Sequence, residues 1–456
     1  MDTKKLRQKI LDLAIHGKLV PQDPNDEPAS VLLERIKAEK ERLIKEGKIK
    51  RSKKRTKTSD TPHYENVPFE IPDNWVWTTI EEICSKIGSG STPKGSNYSV
   101  KGIPFFRSQN VYNDKLVYDD IKYISEEVHQ KMKGTEVLAN DLLLNITGGS
   151  LGRCTVVPAD FNCGNVSQHV CIMRSVLVEP EYFHALVLSS YFAKSMKITG
   201  SGREGLPKYN LEQMAFPLPP LTEQQRIVTE IEHWSALINE IKQGKADLQI
   251  TIKQTKSKIL NLAIHGKLVP QNPNDEPASE LLMRINPKAE ITCDNAHYPQ
   301  LPKGWAVAPM QILCSLIDGN KQNGIERVNL DVKYLRGERD PKTLTFGKYI
   351  PANSFLILVD GENSGEVFRT PIEGYQGSTF KRLFINENMN TEYMLQVINL
   401  YRKLLRENKV GSAIPHLNKK LFKGIIVSIP PYKEQQRIVD AINKAFMSLD
   451  MIMESL

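Results

Sequence analysis

The sequence predicts an α+β protein in which two mixed α/β domains are separated by long antiparallel, coiled-coil-like helices. Three observations support this fold class. A stretch of 28 residues beginning at Lys9 returns at Lys258 with 24 identical positions, so one structural unit is used twice. A second repeat reads PPLTEQQRIV from Pro219 and PPYKEQQRIV from Pro430. The stretches between these repeats differ, which indicates two different inserts on a duplicated frame.

The frame is predicted to be helical. Between residues 222 and 265 apolar residues recur at the a/d spacing of a coiled coil, with Thr222 as the N-cap and Gly266 following the last turn. The C-terminal helix repeats the first half of this helix and the N-terminal helix its second half, which predicts a circularly permuted, pseudo-two-fold repeat. The residues expected to form the seam against partner helices are Ile227, Ile231, Trp234, Ile238, Ile241, Leu248, Ile252, Ile438, Ile442, Leu449 and Ile452.

A shorter helix is predicted near the end of each copy of the 28-residue repeat, after its proline-rich stretch. Ser30 and Ser279 are suitable N-caps for helices over residues 31–45 and 280–285. The eight-residue stretch before each of these helices contains three prolines, which exclude a helical conformation there.

The two inserts share an order of elements. Each contains an apolar, buried-type strand that runs into a Gly-x-x-x-Gly turn, at residues 142–152 and 355–365. Each continues with a helical pattern, at 180–197 and 391–405. The expected domains are an N-terminal helical region with a basic linker (1–65), the first insert (66–218), a central helical spacer (219–297), the second insert (298–429) and a C-terminal helix (430–456).

Composition limits the possible classes of protein. A chain of 456 residues suggests two to four domains, and its net charge of +8 permits a polyanionic partner without requiring one. No run of about 18 apolar residues occurs, so no membrane association is expected. The six cysteines include no CxxC pair, which indicates reduced thiols and a cytoplasmic location. The basic run at residues 48–57 fits either a mobile linker or an arm that contacts phosphates.

Residues for catalysis are not apparent. The segment Gly88 to Lys94 lacks the spacing of a phosphate-binding loop, and Pro93 removes one N–H donor. Ile429-Pro-Pro-Tyr432 resembles an amino-methyltransferase signature but has Ile at the position that must accept a hydrogen bond. His16 and His265 occupy matching helix ends, where the helix dipole favours them. We therefore expect no catalytic residue, no metal site and no cofactor on this chain.

The layout resembles the specificity (S) subunit of type I restriction-modification systems. The resemblance extends over the whole chain and is carried by the two EQQRIV stretches, the KIL-x-LAIHGKLVPQ repeats, the strand–Gly-x-x-x-Gly segments and the Gln168-His169 stretch. Gln168 and His169 have no evident counterpart in the second insert, which reads Gly377 to Arg382 at the corresponding place.

This resemblance implies that each insert is a target recognition domain and that the two bind the halves of a bipartite, gapped site in double-stranded DNA. It implies two methyltransferase (M) subunits docked on the helices, with restriction (R) subunits as further partners. S-adenosylmethionine, ATP and Mg²⁺ would bind those partners, and adenine would be the methylated base. Two unlike inserts on one chain also favour an asymmetric site, because a symmetric dimer reads a palindrome.

Candidate DNA contacts are polar residues in loops of the inserts, since Arg, Lys, Asn, Gln and hydroxyl side chains contact phosphates and base edges. For each of them the alternative is an ordinary solvated side chain. The alternative functions are a protein-only scaffold with two interaction domains and an enzyme acting on nucleic acid. The candidates are Arg107, Ser108, Gln109, Asn110, Gln168, His169, Arg203, Lys208, Asn210, Arg336, Thr379, Lys381, Arg382, Ser412, His416 and Lys419.

Overall fold

The chain folds into two units, residues 1–244 (unit 1) and 245–456 (unit 2). The computed structural model describes residues 2–49, 51, 67–196, 198, 205–287, 301–410 and 415–455. Each unit combines helices of the repeated frame with one mixed α/β insert. The α+β fold class predicted from the sequence is confirmed.

The insert of unit 1 is built on two sheets. The helices of this unit are α1 (Thr3–Ile15), α2 (Ala29–Lys45), α3 (Ile80–Ile83), α4 (Glu126–Lys131), α5 (Pro180–Val187), α6 (Ser190–Ser195), α7 (Lys208–Glu212) and the first part of α8 (Leu221–Ile264). The strands are β1 (Val76–Thr79), β2 (Cys84–Ser89), β3 (Ile103–Phe106), β4 (Lys122–Ile124), β5 (Glu136–Val137), β6 (Leu142–Asn145), β7 (Cys154–Val156), β8 (Gly164–Val166), β9 (Val170–Ser175) and β10 (Ala215–Leu218). One sheet is antiparallel in the order β2-β9-β6-β7. The other has the order β4-β3-β8-β5 with β3 parallel to β8, and β1 pairs with β10 where the chain enters and leaves the insert.

Unit 2 repeats the antiparallel sheet and the entry strand pair of unit 1, but its second sheet is a closed barrel. Its helices are the second part of α8, α9 (Ala278–Ile285), α10 (Met310–Leu313), α11 (Val332–Leu335), α12 (Thr391–Glu407), α13 (Lys419–Gly424) and α14 (Tyr432–Ser455). Its strands are β11 (Ala306–Pro309), β12 (Cys314–Ile317), β13 (Asn320–Leu330), β14 (Thr343–Ile350), β15 (Phe355–Leu358), β16 (Val367–Arg369), β17 (Gly374–Gln376), β18 (Phe380–Ile385) and β19 (Ile426–Ile429). The antiparallel sheet is β12-β18-β15-β16, β11 pairs with β19, and β13, β14 and β17 close a small barrel with β13 parallel to β17.

The central strand of each insert is buried on both faces. Leu142 and Leu144 of β6 join the hydrophobic cluster that includes α1, while Leu143 joins a second cluster with Phe106. Successive side chains of a strand point to opposite faces. The continuous apolar run in the sequence therefore reflects a strand with a core on each side, and Leu356 and Ile357 of β15 divide between two clusters in the same way.

The helices of the frame pack antiparallel within each unit. In unit 1, Ile15 of α1 shares a core with Ile227 of α8, and Arg7 donates a hydrogen bond to Asn239 at 3.3 Å. In unit 2, Lys256 of α8 pairs with Asp450 of α14 at 2.5 Å. These contacts agree with the antiparallel arrangement that the repeat order predicts.

The starts of α2 and α9 differ from the prediction. Neither Ser30 nor Ser279 is an N-cap, because the helices begin at Ala29 and Ala278 and have prolines, Pro28 and Pro277, in the cap position. The carbonyl of Pro28 accepts the N–H of Val31 at 3.0 Å, and Pro277 does the same for Glu280 at 3.1 Å. Proline backbone geometry, rather than a side-chain oxygen, sets these two helix starts.

Two further helix boundaries are corrected. Helix α8 begins at Leu221, and the hydroxyl of Thr222 donates to Asp26 at 2.5 Å instead of capping the helix. The single helical pattern predicted over 180–197 is broken into α5 and α6 within its described part. Ser189 causes the break, because its hydroxyl accepts the N–H of Phe192 at 3.2 Å and caps a new helix.

Candidate functional site

The EQQR segment of unit 1 forms a buried polar anchor between helix α8 and the insert. Both oxygens of the Glu223 carboxyl accept hydrogen bonds, from Trp75 Nε1 at 2.9 Å and from Gln22 Nε2 at 2.6 Å. Burial raises the pKa of the Glu223 carboxyl, and the two hydrogen bonds oppose that shift. Trp75 opens the insert and Gln22 belongs to the repeated loop, so this carboxyl joins three distant segments.

The next residues of the segment extend the anchor. Gln224 accepts the backbone N–H of Glu179, at the start of α5, at 2.9 Å and donates to the carbonyl of Pro219 at 3.0 Å. Arg226 pairs with the nearly buried Asp26 at 2.6 Å and holds the pKa of that carboxyl below its ordinary value.

Unit 2 contains the same anchor. Glu434 accepts from Trp305 at 3.1 Å and from Gln271 at 3.2 Å, and burial again raises the pKa of the carboxyl. Arg437 pairs with Asp275 at 2.7 Å. The sequence showed these residues as a repeat but gave no sign of their partners. Their role is to fix each insert onto its helix.

The loops at one end of the antiparallel sheet in unit 1 gather several candidate residues. Thr147, after β6, lies 2.8 Å from Nδ1 of His169, between β8 and β9. Gln168 beside it is exposed and accepts a hydrogen bond from Thr92 of the loop after β2. Leu206 donates its backbone N–H to Ile146 at 2.9 Å, which brings the loop before α7 to the same end. This surface is called sheet end 1.

A second group lies at the end of β3, in contact with sheet end 1 through Asn145, which donates to the carbonyl of Ser108 at 2.8 Å. Arg107 and Gln109 both donate to Asp120, at 3.1 and 3.0 Å. Asn110 differs from its neighbours because it is fully buried. Its oxygen accepts from the Arg107 backbone at 3.0 Å and its nitrogen donates to two carbonyls of the following loop. Its polar atoms shape this loop rather than facing solvent.

The corresponding surface of unit 2, sheet end 2, has the same backbone pattern. The carbonyl of His169 accepts the N–H of Ile146 at 3.0 Å, and that of Thr379 accepts the N–H of Val359 at 2.9 Å. His169 and Thr379 are therefore structural equivalents. The second insert has different residue types at this place, as the sequence indicates, and the equivalence lies in the backbone hydrogen bonds.

Charged residues cluster at sheet end 2. The Asp318 carboxylate accepts from Lys381 at 2.6 Å and from Gln376 at 2.9 Å, and it pairs with Lys348 at 3.0 Å. These partners hold the pKa of Asp318 well below its usual range despite partial burial. Nδ1 of the exposed His416 lies 2.7 Å from Asp360, the residue that corresponds to Thr147.

The remaining candidates occupy varied positions. Arg336, after α11, pairs with Glu366 and lies over the ring of Phe368 at 5.9 Å. Lys208 begins α7 and pairs with Glu212 at 3.2 Å, while Lys419 is exposed at the start of α13. Asn210 in α7 and Arg382 in β18 are half-buried, and Arg203 and Ser412 fall outside the described residues.

The seam residues divide into buried and exposed groups. In unit 1, Ile227 and Ile238 are buried and Ile231 packs against the core, whereas Trp234 and Ile241 remain 37% and 42% exposed. In unit 2, Ile252, Ile438 and Ile442 are buried, Leu248 and Leu449 are half-buried, and Ile452 is 44% exposed.

Across the described ranges, no group of three or more His, Cys, Asp or Glu side chains is arranged to hold a metal ion. Burial raises the pKa of the Cys154 thiol and of the Cys84 thiol, which is typical of unreactive core cysteines. In the part of the chain that the structure covers, no helix is both long and apolar enough to cross a membrane.

Comparison with known proteins gives a consistent result. The family model of the type I restriction modification DNA specificity domain matches residues 72–250 and 302–452. The chain is 30% identical over 389 residues to the EcoAI specificity subunit of Escherichia coli, covering 69% of this chain and 63% of that protein. It is 30% identical over 337 residues to the EcoEI specificity subunit of the same organism, covering 62% of this chain and 54% of that protein. The chain thus spans less than two thirds of the length of either relative.

Solved structures agree in fold. The HsdS subunit from Thermoanaerobacter tengcongensis superposes with a TM-score of 0.53 at 18% identity, covering 85% of this chain and 93% of that one. A chain from a study of complex assembly and conformational transition in the type I restriction-modification system gives a TM-score of 0.61 at 18% identity, covering 85% and 94%. Since the family model matches most of both inserts and their helices, the chain belongs to the type I restriction-modification DNA specificity family and is a specificity subunit.

Proposed function

We propose that this chain binds an asymmetric, bipartite and gapped site in double-stranded DNA, and that it docks the methyltransferase subunits that modify that site. Each insert would read one half-site through its sheet end. The helices of the frame would hold the partners.

One relationship carries the proposal. Sheet ends 1 and 2 have equivalent backbone hydrogen bonds at His169 and Thr379, yet the side chains on that backbone differ. The anchors around Glu223 and Glu434 are the same in both units. A constant anchor with variable loops is the arrangement expected of a protein that reads two different base sequences, because specificity lies in side chains that contact base edges.

The frame supplies the surface for partners. Trp234 and Ile241 on α8 remain substantially exposed, as do Met447 and Met451 on α14, which are 65% and 59% exposed. Exposed apolar residues along a helix are typical of a surface that packs against partner helices. Methyltransferase subunits would cover these residues, and restriction subunits would join in hosts that carry them.

In this proposal the chain catalyses no reaction itself. S-adenosylmethionine, ATP and Mg²⁺ would bind partner subunits, and the methyltransferases would flip a target adenine out of each half-site. The assembly would act in the cytoplasm, where the DNA is.

The test is to co-express the chain with its methyltransferase subunit in a methylation-free host and to map modified bases by single-molecule sequencing. A gapped, asymmetric motif modified on both strands is the expected result. An assembled complex without any sequence preference would refute the proposal.

A protein-only scaffold is the second candidate, and the exposed residues of α8 and α14 favour it equally. Salt dependence separates the two. Phosphate contacts give a linear fall of log affinity with log salt, at about 0.9 per contact. A complex that fails to retain DNA even at low salt would favour the scaffold.

A further inference from the structure

The β13–β14 hairpin of unit 2 has no equally long counterpart among the described strands of unit 1. Strand β3 occupies the topological position of β13, since it pairs parallel with β8 as β13 does with β17. Strand β14 makes the antiparallel pairings that two short strands make in unit 1, β4 with β3 and β5 with β8. Yet β3 and β4 have 4 and 3 residues, whereas β13 and β14 have 11 and 8. The long hairpin therefore distinguishes the insert of unit 2 from that of unit 1.

The inner face of the hairpin is identified by Gly347. A Cβ atom at that position would lie 2.6 Å from the ring of Tyr375 in β17, so the backbone here packs directly on the ring. Side chains alternate along a strand. Phe346 and Lys348, on either side of Gly347, therefore point away from Tyr375, and Phe346 is 66% exposed.

The register adds two residues of β13 to this outer face. Asn323 is the direct partner of Phe346, and Lys321 is the direct partner of Lys348. Both residues of β13 are exposed. These residues, Lys321, Asn323, Phe346 and Lys348, form what we call the ribbon face.

The composition of the ribbon face is unfavourable for the free protein. Two lysines directly opposite each other on neighbouring strands repel, which destabilises the pairing. The exposed phenylalanine ring leaves apolar surface in contact with water, which is unfavourable. Asp318 compensates in part, but it is shared between Lys348 and Lys381 at 3.0 and 2.6 Å. The cluster therefore keeps an excess of positive charge, which suits an anionic partner.

We propose that the ribbon face enters the major groove of the DNA half-site read by unit 2. A two-stranded β-ribbon fits that groove. Lys321 and Lys348 contact backbone phosphates. Asn323 pairs with the N6 and N7 edge of an adenine, and Phe346 packs on the methyl group of a thymine, which are the contacts these side chains make with bases.

The spacing is compatible with this assignment. The lysine pair and the Asn323–Phe346 pair are two residues apart along the strands, or about 7 Å. That separation lets one pair reach base edges while the other reaches the phosphates beside them. The Asp318–Lys381 contact joins the ribbon face to sheet end 2, so both surfaces would engage the same half-site.

This inference rests on the proposed function, and the experiment separates the two. The complex of the full chain with its methyltransferase is prepared with Asn323→Ala, Phe346→Ala, or Lys321→Ala and Lys348→Ala together. Thr345→Ala is the matched control, because Thr345 is exposed on β14 but alternation points it away from the ribbon face. Thermal melts of all variants verify folding, and modified bases and duplex affinity are then measured.

We expect Asn323→Ala and Phe346→Ala each to relax one A·T position of the second half-site by about tenfold or more, with the first half-site unchanged. The double lysine variant should reduce the slope of log affinity against log salt by about two, at about 0.9 per phosphate contact. Thr345→Ala should resemble the wild type.

Other outcomes overturn the inference. If the wild-type complex modifies no motif, the proposed function fails and the ribbon face fails with it. If the wild type modifies a gapped motif but all hairpin variants retain its sequence and salt slope, only the ribbon-face inference fails. Loss of assembly with the methyltransferase in these variants would identify the face as a protein contact and would also refute it.

Discussion

The indole Nε1 of Trp75 donates a hydrogen bond to the Glu223 carboxylate at 2.9 Å, across 148 positions of sequence. Trp305 makes the same contact with Glu434 at 3.1 Å. Each pair joins the entrance of an insert to the first turns of a frame helix. The inserts can therefore differ in their loops while their attachment to the frame stays the same.

Replacing the anchor carboxyls is expected to destabilise the protein. In Glu223→Gln or Glu434→Gln, one carboxylate oxygen becomes an NH2 group that faces the N–H donor of Trp or Gln. Loss of one hydrogen bond to a buried carboxylate should cost about 1–3 kcal/mol of unfolding free energy. Urea unfolding of the full chain measures this. Glu232→Gln, at an exposed position of α8, is the control and should change stability by less than about 0.5 kcal/mol.

The same carboxyls predict a pH dependence. Burial raises the pKa of Glu223 and Glu434 in the folded protein above the ordinary value of 4.5. Between the unfolded and folded pKa values the folded protein binds more protons, so the unfolding free energy falls as pH rises through that window. The Gln variants lack this decline.

The stability difference between wild type and each Gln variant should therefore shrink as pH increases above about 4.5, the ordinary carboxyl pKa. Asp26 has the opposite effect on the pH dependence of stability, because Arg226 lowers the pKa of its carboxyl. Its contribution to the unfolding free energy is lost only as pH falls below the ordinary value of 3.8. Denaturant unfolding at a series of pH values measures the difference. A difference independent of pH would contradict the assignment of a raised pKa.

The frame was predictable from the sequence because near-identical repeats require similar structures. The first residues of the helices were harder to predict. Ser30 has a side chain suited to an N-cap, but Pro28 occupies the cap position of α2, two residues earlier. Propensity ranks residues at a cap position and does not say which residue will occupy it.

The candidate site was predictable only in part, because its equivalences depend on backbone pairing. His169 and Thr379 match through hydrogen bonds made by their carbonyls, which leave no trace in residue type. The opposition of Lys321 and Lys348 depends on the register of a hairpin with a bulge. Register follows from tertiary packing, such as that of Gly347 on Tyr375, and no local pattern encodes it.

Asn110 and Gln109 are adjacent in sequence but should respond differently to alanine. Asn110→Ala removes three hydrogen bonds from a buried loop and should cost about 1–3 kcal/mol of stability. Gln109→Ala removes one exposed contact to Asp120 and should change stability by less than about 0.5 kcal/mol. Urea unfolding distinguishes them, and equal effects would contradict the loop-shaping role of Asn110.

The proposed function predicts that the two sheet ends control separate halves of the DNA site. His169 and Thr379 occupy equivalent backbone positions in different units. If each contacts a base edge, its loss should cost about 1–3 kcal/mol of discrimination at one base position. His169→Ala should then relax a base in one half-site and Thr379→Ala a base in the other, in motifs mapped with the methyltransferase complex. The unaffected half-site in each variant is an internal control for folding and assembly. A variant that relaxes both halves, or lowers affinity equally for all sequences, would mean that the residue acts on phosphates or on the frame and does not read a base.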